Sequence, residues 1–86
     1  MAMLIKADGS MKKVRPENGR NFHVKEIERL IDGKCDMHSL GNRNKLFINI
    51  QQGSCALEFN CDASDLLNAP VVGDAIVLSD DEFSLS

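Results

Sequence analysis

Phe22-His23-Val24-Lys25-Glu26-Ile27-Glu28-Arg29-Leu30-Ile31-Asp32-Gly33 is the stretch that decides the fold. Val24, Ile27 and Ile31 stand three and four positions apart, with Leu30 beside Ile31. That spacing lines up one apolar helix face. With His23 as the N-cap, Glu26 falls at the third helical position, where a carboxylate complements the helix dipole. Phe22 can then staple to Ile27. Gly33 suits a left-handed C-terminal cap. Together these signals predict a helix over 24–32.

Strand signals lie on both sides of it. Upstream, Met3 to Ala7 reads as a strand, Asp8-Gly9-Ser10 as a hairpin turn, and Lys12 to Arg15 as the return strand. Pro16 ends that strand and favours an edge position for it. Downstream, Cys35 to Leu40 reads as a third strand and Gly41 to Asn44 as a turn. Lys45 to Gln51 reads as a fourth strand, with Leu46, Ile48 and Ile50 alternating toward one face. Leu57 and Phe59 form a short extended pair, and Asp62 to Leu67 a short helical turn that Asp62 could cap. Ala75-Ile76-Val77-Leu78 is apolar without alternation, the mark of a central strand buried on both sides.

The order ββαββ(α)β describes an α+β domain in which one main helix packs on a mixed sheet. A last strand placed centrally, beside and parallel to the first, would give a β-grasp-like arrangement. The expected domain covers residues 1–79, with 80–86 as a frayed acidic tail.

Length and composition bound the function. A chain of 86 residues holds one domain with a small core. Charged residues at 27% and apolar residues at 43% fit a globule rather than a disordered chain. No apolar run reaches the length of a spanning helix, and the first six residues do not read as a signal peptide. The net charge of −3 hides an asymmetry. All ten bases lie within residues 1–45, beside six acids, for a balance of +4. Residues 46–86 hold seven acids and no base. Such a dipole can steer charged partners or favour head-to-tail contacts.

Three cysteines, Cys35, Cys55 and Cys61, are an odd number without secretory context, which suits a reducing cytoplasm. Cys35 and His38 could join Cys55 and Cys61 around a metal, but a strand at 34–40 would point Cys35 and His38 to opposite faces. No metal, cofactor or catalytic residue is therefore assigned. No phosphate-binding glycine loop, nucleophile elbow or nucleophile–base–orienter set occurs, so no enzymatic activity is expected.

Several pieces recur together elsewhere. Ile5-Lys6-Ala7-Asp8-Gly9 is followed by Val14-x-Pro16-x-Asn18-Gly19 and then by Phe22-x-Val24-x-Glu26-Ile27-x-x-Leu30-Ile31-x-Gly33. Asn49, Asn60-x-x-Ala63 and Val72-Gly73-Asp74-Ala75-Ile76-Val77 complete the series. In this order, over residues 4–78, they resemble a family of short domains of unknown function carried by bacteriophages and conjugative elements. The resemblance implies an intracellular, mobile-element context and no particular activity. The chain departs from it at Lys34 to His38 and after Asn49, where Ile50-Gln51 stands in place of an acidic-glycine pair.

Three groups of residues are candidate binding residues. Lys12, Lys13, Arg15 and Arg20 form a basic cluster around the second strand, able to contact phosphates. The absence of Tyr and Trp and the pI near 5.2 argue against nucleic acid. Lysines on an edge strand also discourage aggregation. Asn49, Asn60 and Asp74 are polar candidates for a small-ligand or nucleotide pocket, and side-chain bonds to turn backbone explain them equally well. Asp80, Asp81 and Glu82 head an acidic set that could mimic nucleic acid in a basic groove. The expected function is that of a non-enzymatic accessory protein, binding a host or element-encoded protein, including one of host defence. A small-ligand or nucleotide-binding module is the alternative. Open sheet edges and opposite charges also invite a homodimer.

Overall fold

The helix at the centre of the chain forms as expected. A computed structural model describes residues 2–17, 19–41, 43–50 and 58–84. In chain order the elements are β1 (Ala2–Ile5), β2 (Met11–Val14), β3 (Phe22–His23), α1 (Val24–Ile31), β4 (Cys35–Gly41) and β5 (Asn44–Asn49). They are followed by α2 (Cys61–Leu67), β6 (Ala75–Ser79), a 3-10 turn (Asp80–Glu82) and β7 (Phe83–Ser84). No helix among the described residues is long and apolar enough to cross a membrane.

Helix α1 is capped by the extended His23 backbone without a side-chain capping bond. Its C-terminus departs from the expectation. Asp32, at φ 59°, takes the left-handed cap position, and its amide donates to the Glu28 carbonyl. Aspartate tolerates that conformation better than most residues, so the helix closes one residue before the glycine. Gly33 is needed there for a different reason, given below.

Strands β2, β1, β6, β5 and β4, in that spatial order, form one sheet in which every neighbouring pair is antiparallel. The chain is an α+β domain, with β6 central and next to β1 as its unbroken apolar run implies. Its direction corrects the expectation of a mixed, β-grasp-like sheet. Met3 faces Val77 and Ile5 faces Ala75, so β6 runs against β1. The cause lies in the connection from β5. The Ile48–Ala75 pairing shows that the chain re-enters the sheet at the end where β5 stopped. Strands β5 and β6 thus behave as a hairpin with a long connection that includes α2. Parallel strands are confined, among the described residues, to the small β3–β7 pair.

Both faces of the sheet are covered. Phe22, Ile27 and Ile31 pack against Ala2, Leu4, Phe47, Ile76 and Leu78 on one face. Ala63 and Val71 pack against Ile5, Leu46, Ile48 and Ala75 on the other. The period-2 alternation divides each central strand between the two clusters. In β5, Leu46 and Ile48 serve one core and Phe47 the other, while Ile50 lies beyond the strand and is exposed. Phe59 forms a single antiparallel bridge to Val72. Leu57, expected to be extended beside it, lies outside the described residues.

The C-terminal segment also differs from the frayed tail expected over 80–86. Asp80 to Glu82 turn once, and Phe83 then pairs with Phe22 in the β3–β7 ladder. The Phe83 ring lies 4.8 Å, centroid to centroid, from Phe47. The aromatic residue that directly follows the acidic cluster has thus drawn that cluster onto the domain.

Candidate functional site

The three groups of candidate residues meet different fates. Among the described residues, Asn49, Asn60 and Asp74 do not line a common pocket. Asn60 is fully buried, and its amide nitrogen donates to the carbonyls of Ile5 (3.0 Å) and Gly73 (2.9 Å). Its side-chain oxygen accepts the Ala63 amide at 3.0 Å, so Asn60 caps α2, a role expected of Asp62. With these three bonds made, it joins β1, α2 and the approach to β6 in one joint. Asp74 accepts the Ala7 amide at 3.0 Å and pins the β1–β2 hairpin to the start of β6. It also borders an open cleft of about 380 Å³ with Lys6, Asp8, Asp32 and Glu58. Four carboxylates against one ammonium give that cleft the wrong sign for a phosphate.

Asn49 is buried beneath the end of α1, with its amide nitrogen 3.4 Å from the Asp32 carbonyl. This contact explains Gly33. A Cβ at position 33 would lie 2.5 Å from the Asn49 amide nitrogen, inside contact distance. Gly33→Ala is expected to destabilise the domain by about 1–3 kcal/mol through this overpacking. In an Asn49→Ala background the same change should cost less, because the obstructing amide is gone. Urea melts of the four proteins of this cycle check the prediction. Equal costs in both backgrounds would refute the contact.

The acidic residues at 80–82 are engaged within the molecule. Asp80 pairs with Lys45 at 2.8 Å. The Ser79 hydroxyl donates to Asp81 and also reaches Glu82, whose carboxylate accepts the Ser79 amide in a capping box. The hydroxyl of Ser79, foremost, holds the Asp81 carboxyl below its usual range. Partial burial raises Glu82, but hydrogen bonds, including those from Ser79, more than offset it and the net shift is downward. These carboxylates organise a turn as well as carrying charge.

The basic cluster is arranged differently. Strand β2 is an edge strand, and Met11, Lys12 and Lys13 on it are exposed. An open groove of about 400 Å³ runs between it and α1. Lys12, Lys13, Val14 and Arg15 form one wall, and Glu26, Arg29 and Leu30 of α1 the other. Arg29 is satisfied by Glu17 at 2.9 Å. The buried Glu26 carboxylate accepts the Glu17 amide at 2.8 Å and fixes the loop that closes one end. The side chains of Lys12, Lys13 and Arg15 make no hydrogen bond or ion pair among the described residues. Arg20, expected in this cluster, is exposed but does not line the groove. Arg29 was missed because it sits on another element. Its place opposite the apolar face of α1 was the available signal.

Burial foremost, and then the Glu28 carboxylate, push the Cys35 thiol up. It is therefore protonated at neutral pH and a poor nucleophile. Cys35 faces Asn49 and His38 faces Leu46 in the β4–β5 ladder, so the two side chains lie on opposite faces. Cys55, the fourth member of the metal set considered from sequence, lies outside the described residues. Comparison with family models, curated proteins and solved structures finds no match to this chain.

Proposed function

We propose that this chain is a non-enzymatic binding module whose β2–α1 groove holds an acidic region of another protein. One observation carries the reading. Lys12, Lys13 and Arg15 carry three cations along the edge strand that walls an open groove, Lys12 on the α1 face and Lys13 on the other, and none has a side-chain partner among the described residues. The 80–82 carboxylates, by contrast, are engaged within the molecule, Asp80 by Lys45 and Asp81 and Glu82 by Ser79 of their own turn. Complementary charge would speed encounter and fix orientation more than it would add affinity. The mobile-element resemblance supports a setting in the cytoplasm of a bacterial host, with a host-defence protein as the fullest form of the reading. The sign of the Asp74 cleft weighs against the nucleotide alternative.

Paired pull-downs from a host lysate test it. One bait carries Lys12→Glu, Lys13→Glu and Arg15→Glu; the other carries Asp80→Asn, Asp81→Asn and Glu82→Gln. A partner captured by the unaltered chain should be lost with the first bait and kept with the second. For the first bait, association should slow by about 10-fold or more at low salt. The opposite pattern would replace this reading with nucleic-acid mimicry by the acidic turn.

A further inference from the structure

We infer that the outer edge of β2 takes up an extended acidic segment of a partner protein as an added strand. The inference rests on the basic-groove reading and specifies how the partner is held. Antiparallel ladders alternate between residue pairs that exchange N–H···O bonds and pairs that do not. The Lys6 amide donates to the Ser10 carbonyl at 2.9 Å, so this pair closes the hairpin as a bonded one. Continuing along the register, Leu4–Lys12 and Ala2–Val14 are bonded pairs, while Ile5–Met11 and Met3–Lys13 are not. The main-chain N–H and C=O groups of Met11 and Lys13 therefore point away from β1. Those of Arg15 continue the series, and Pro16 behind it favours an extended Arg15.

Strand β2 ends the sheet, and these outward groups bond to no described residue. They form a template for strand addition, in which main-chain bonds give affinity and alternate side chains give specificity.

The charges select the occupant. Lys12 stands on the α1 face, opposite Leu4, and Lys13 on the other face, opposite Met3. A segment lying along β2 would meet a cation on each face, with Val14 and Leu30 beside it as the apolar part of the groove. A second copy of β2 would set lysine against lysine, which is unfavourable for cross-strand neighbours. An acidic strand reverses that sign on both faces.

Amide hydrogen exchange by NMR tests the inference on the full chain. The probe is an end-blocked peptide of alternating Glu and Val, about seven residues long. Saturating peptide should slow exchange at Met11 and Lys13 by about tenfold or more, equivalent to ~1.4 kcal/mol. Lys12 and Val14, already bonded to β1, should change less. Lys13→Pro removes an outward N–H without breaking a β1 bond, a position where an edge strand accepts proline. It should abolish binding, whereas Lys13→Thr, which keeps the N–H and loses the charge, should only weaken it. A peptide N-methylated at alternate residues should fail against the unaltered protein, independently of whether the proline variant folds.

Salt-sensitive binding of both peptides without protection at Met11 and Lys13 would overturn strand addition and leave the basic-groove reading standing. Binding of an oligothymidylate but not the acidic peptide would overturn the protein-partner class. Binding of neither anion would overturn both readings.

Discussion

Asn60→Asp should cost the fold about 4 kcal/mol at neutral pH, despite changing only one terminal group. The carboxylate keeps the acceptor that caps α2 through the Ala63 amide. It replaces the nitrogen that donates to the Ile5 and Gly73 carbonyls with a second acceptor. Two buried carbonyls lose their donor, at roughly 1–3 kcal/mol each. A negative charge is also placed in a fully buried site beside them. Domains of this size are stable by only about 5–15 kcal/mol, so this is a large fraction of the total.

The effect should depend on pH with a definite sign. Burial and the facing carbonyls raise the folded-state pKa of the introduced carboxyl above its unfolded value. The neutral form can again donate one hydrogen bond. The penalty relative to the unaltered chain is therefore smallest below the unfolded pKa and grows as pH rises through the folded one. Urea melts of both proteins at acidic and neutral pH check this. A penalty below about 1 kcal/mol at neutral pH would show that the Asn60 joint contributes little.

The same joint shows which parts of the molecule could be read in the sequence. Helix α1 was legible because its apolar spacing is local and its packing reinforces it. The centrality of β6 was legible because a strand buried on both faces loses its alternation. Its direction was not, since that depends on where the long connection through α2 re-enters the sheet. That is a matter of tertiary packing and leaves no periodic trace.

Asn60 and Asp62 are both good caps by residue type. Burial in the structure selects Asn60, and only the fold brings the Ile5 and Gly73 carbonyls to it. Gly33 invited a reading as a helix cap, yet what excludes a side chain is Asn49, sixteen positions away. In the basic groove, Lys12, Lys13 and Arg15 were visible because they are consecutive or nearly so. Arg29 and Glu26 join them only through the packing of α1. Asn49, Asn60 and Asp74 were thus legible as polar positions, but only the fold shows that they bond to the backbone carbonyls of Asp32, Ile5 and Gly73 and to the backbone amides of Ala63 and Ala7.

Deletion of residues 80–86 is the second large effect, and it tests whether the domain ends at residue 79. Charge composition favours a solvated tail, since three consecutive acids precede Phe83. The packing favours the opposite. Phe83 pairs with the fully buried Phe22 and lies against Phe47. Burying part of an aromatic ring contributes about 1–2 kcal/mol, and the ring pair about 0.5–1.5 more. The capping box adds about 1 kcal/mol, whereas the partly exposed Asp80–Lys45 pair adds little. The truncated chain should therefore lose on the order of 3 kcal/mol, which lowers Tm by about 12–24 °C in a domain this small. A shift under about 4 °C would restore the boundary at residue 79. Phe83→Ala in the full chain apportions the loss. If the ring anchors the segment, this variant should reproduce more than half of it, while Asp80→Asn with Asp81→Asn should reproduce little. Residues 80–82 would then be held on the domain by the aromatic residue that follows them, with their charges secondary to that attachment.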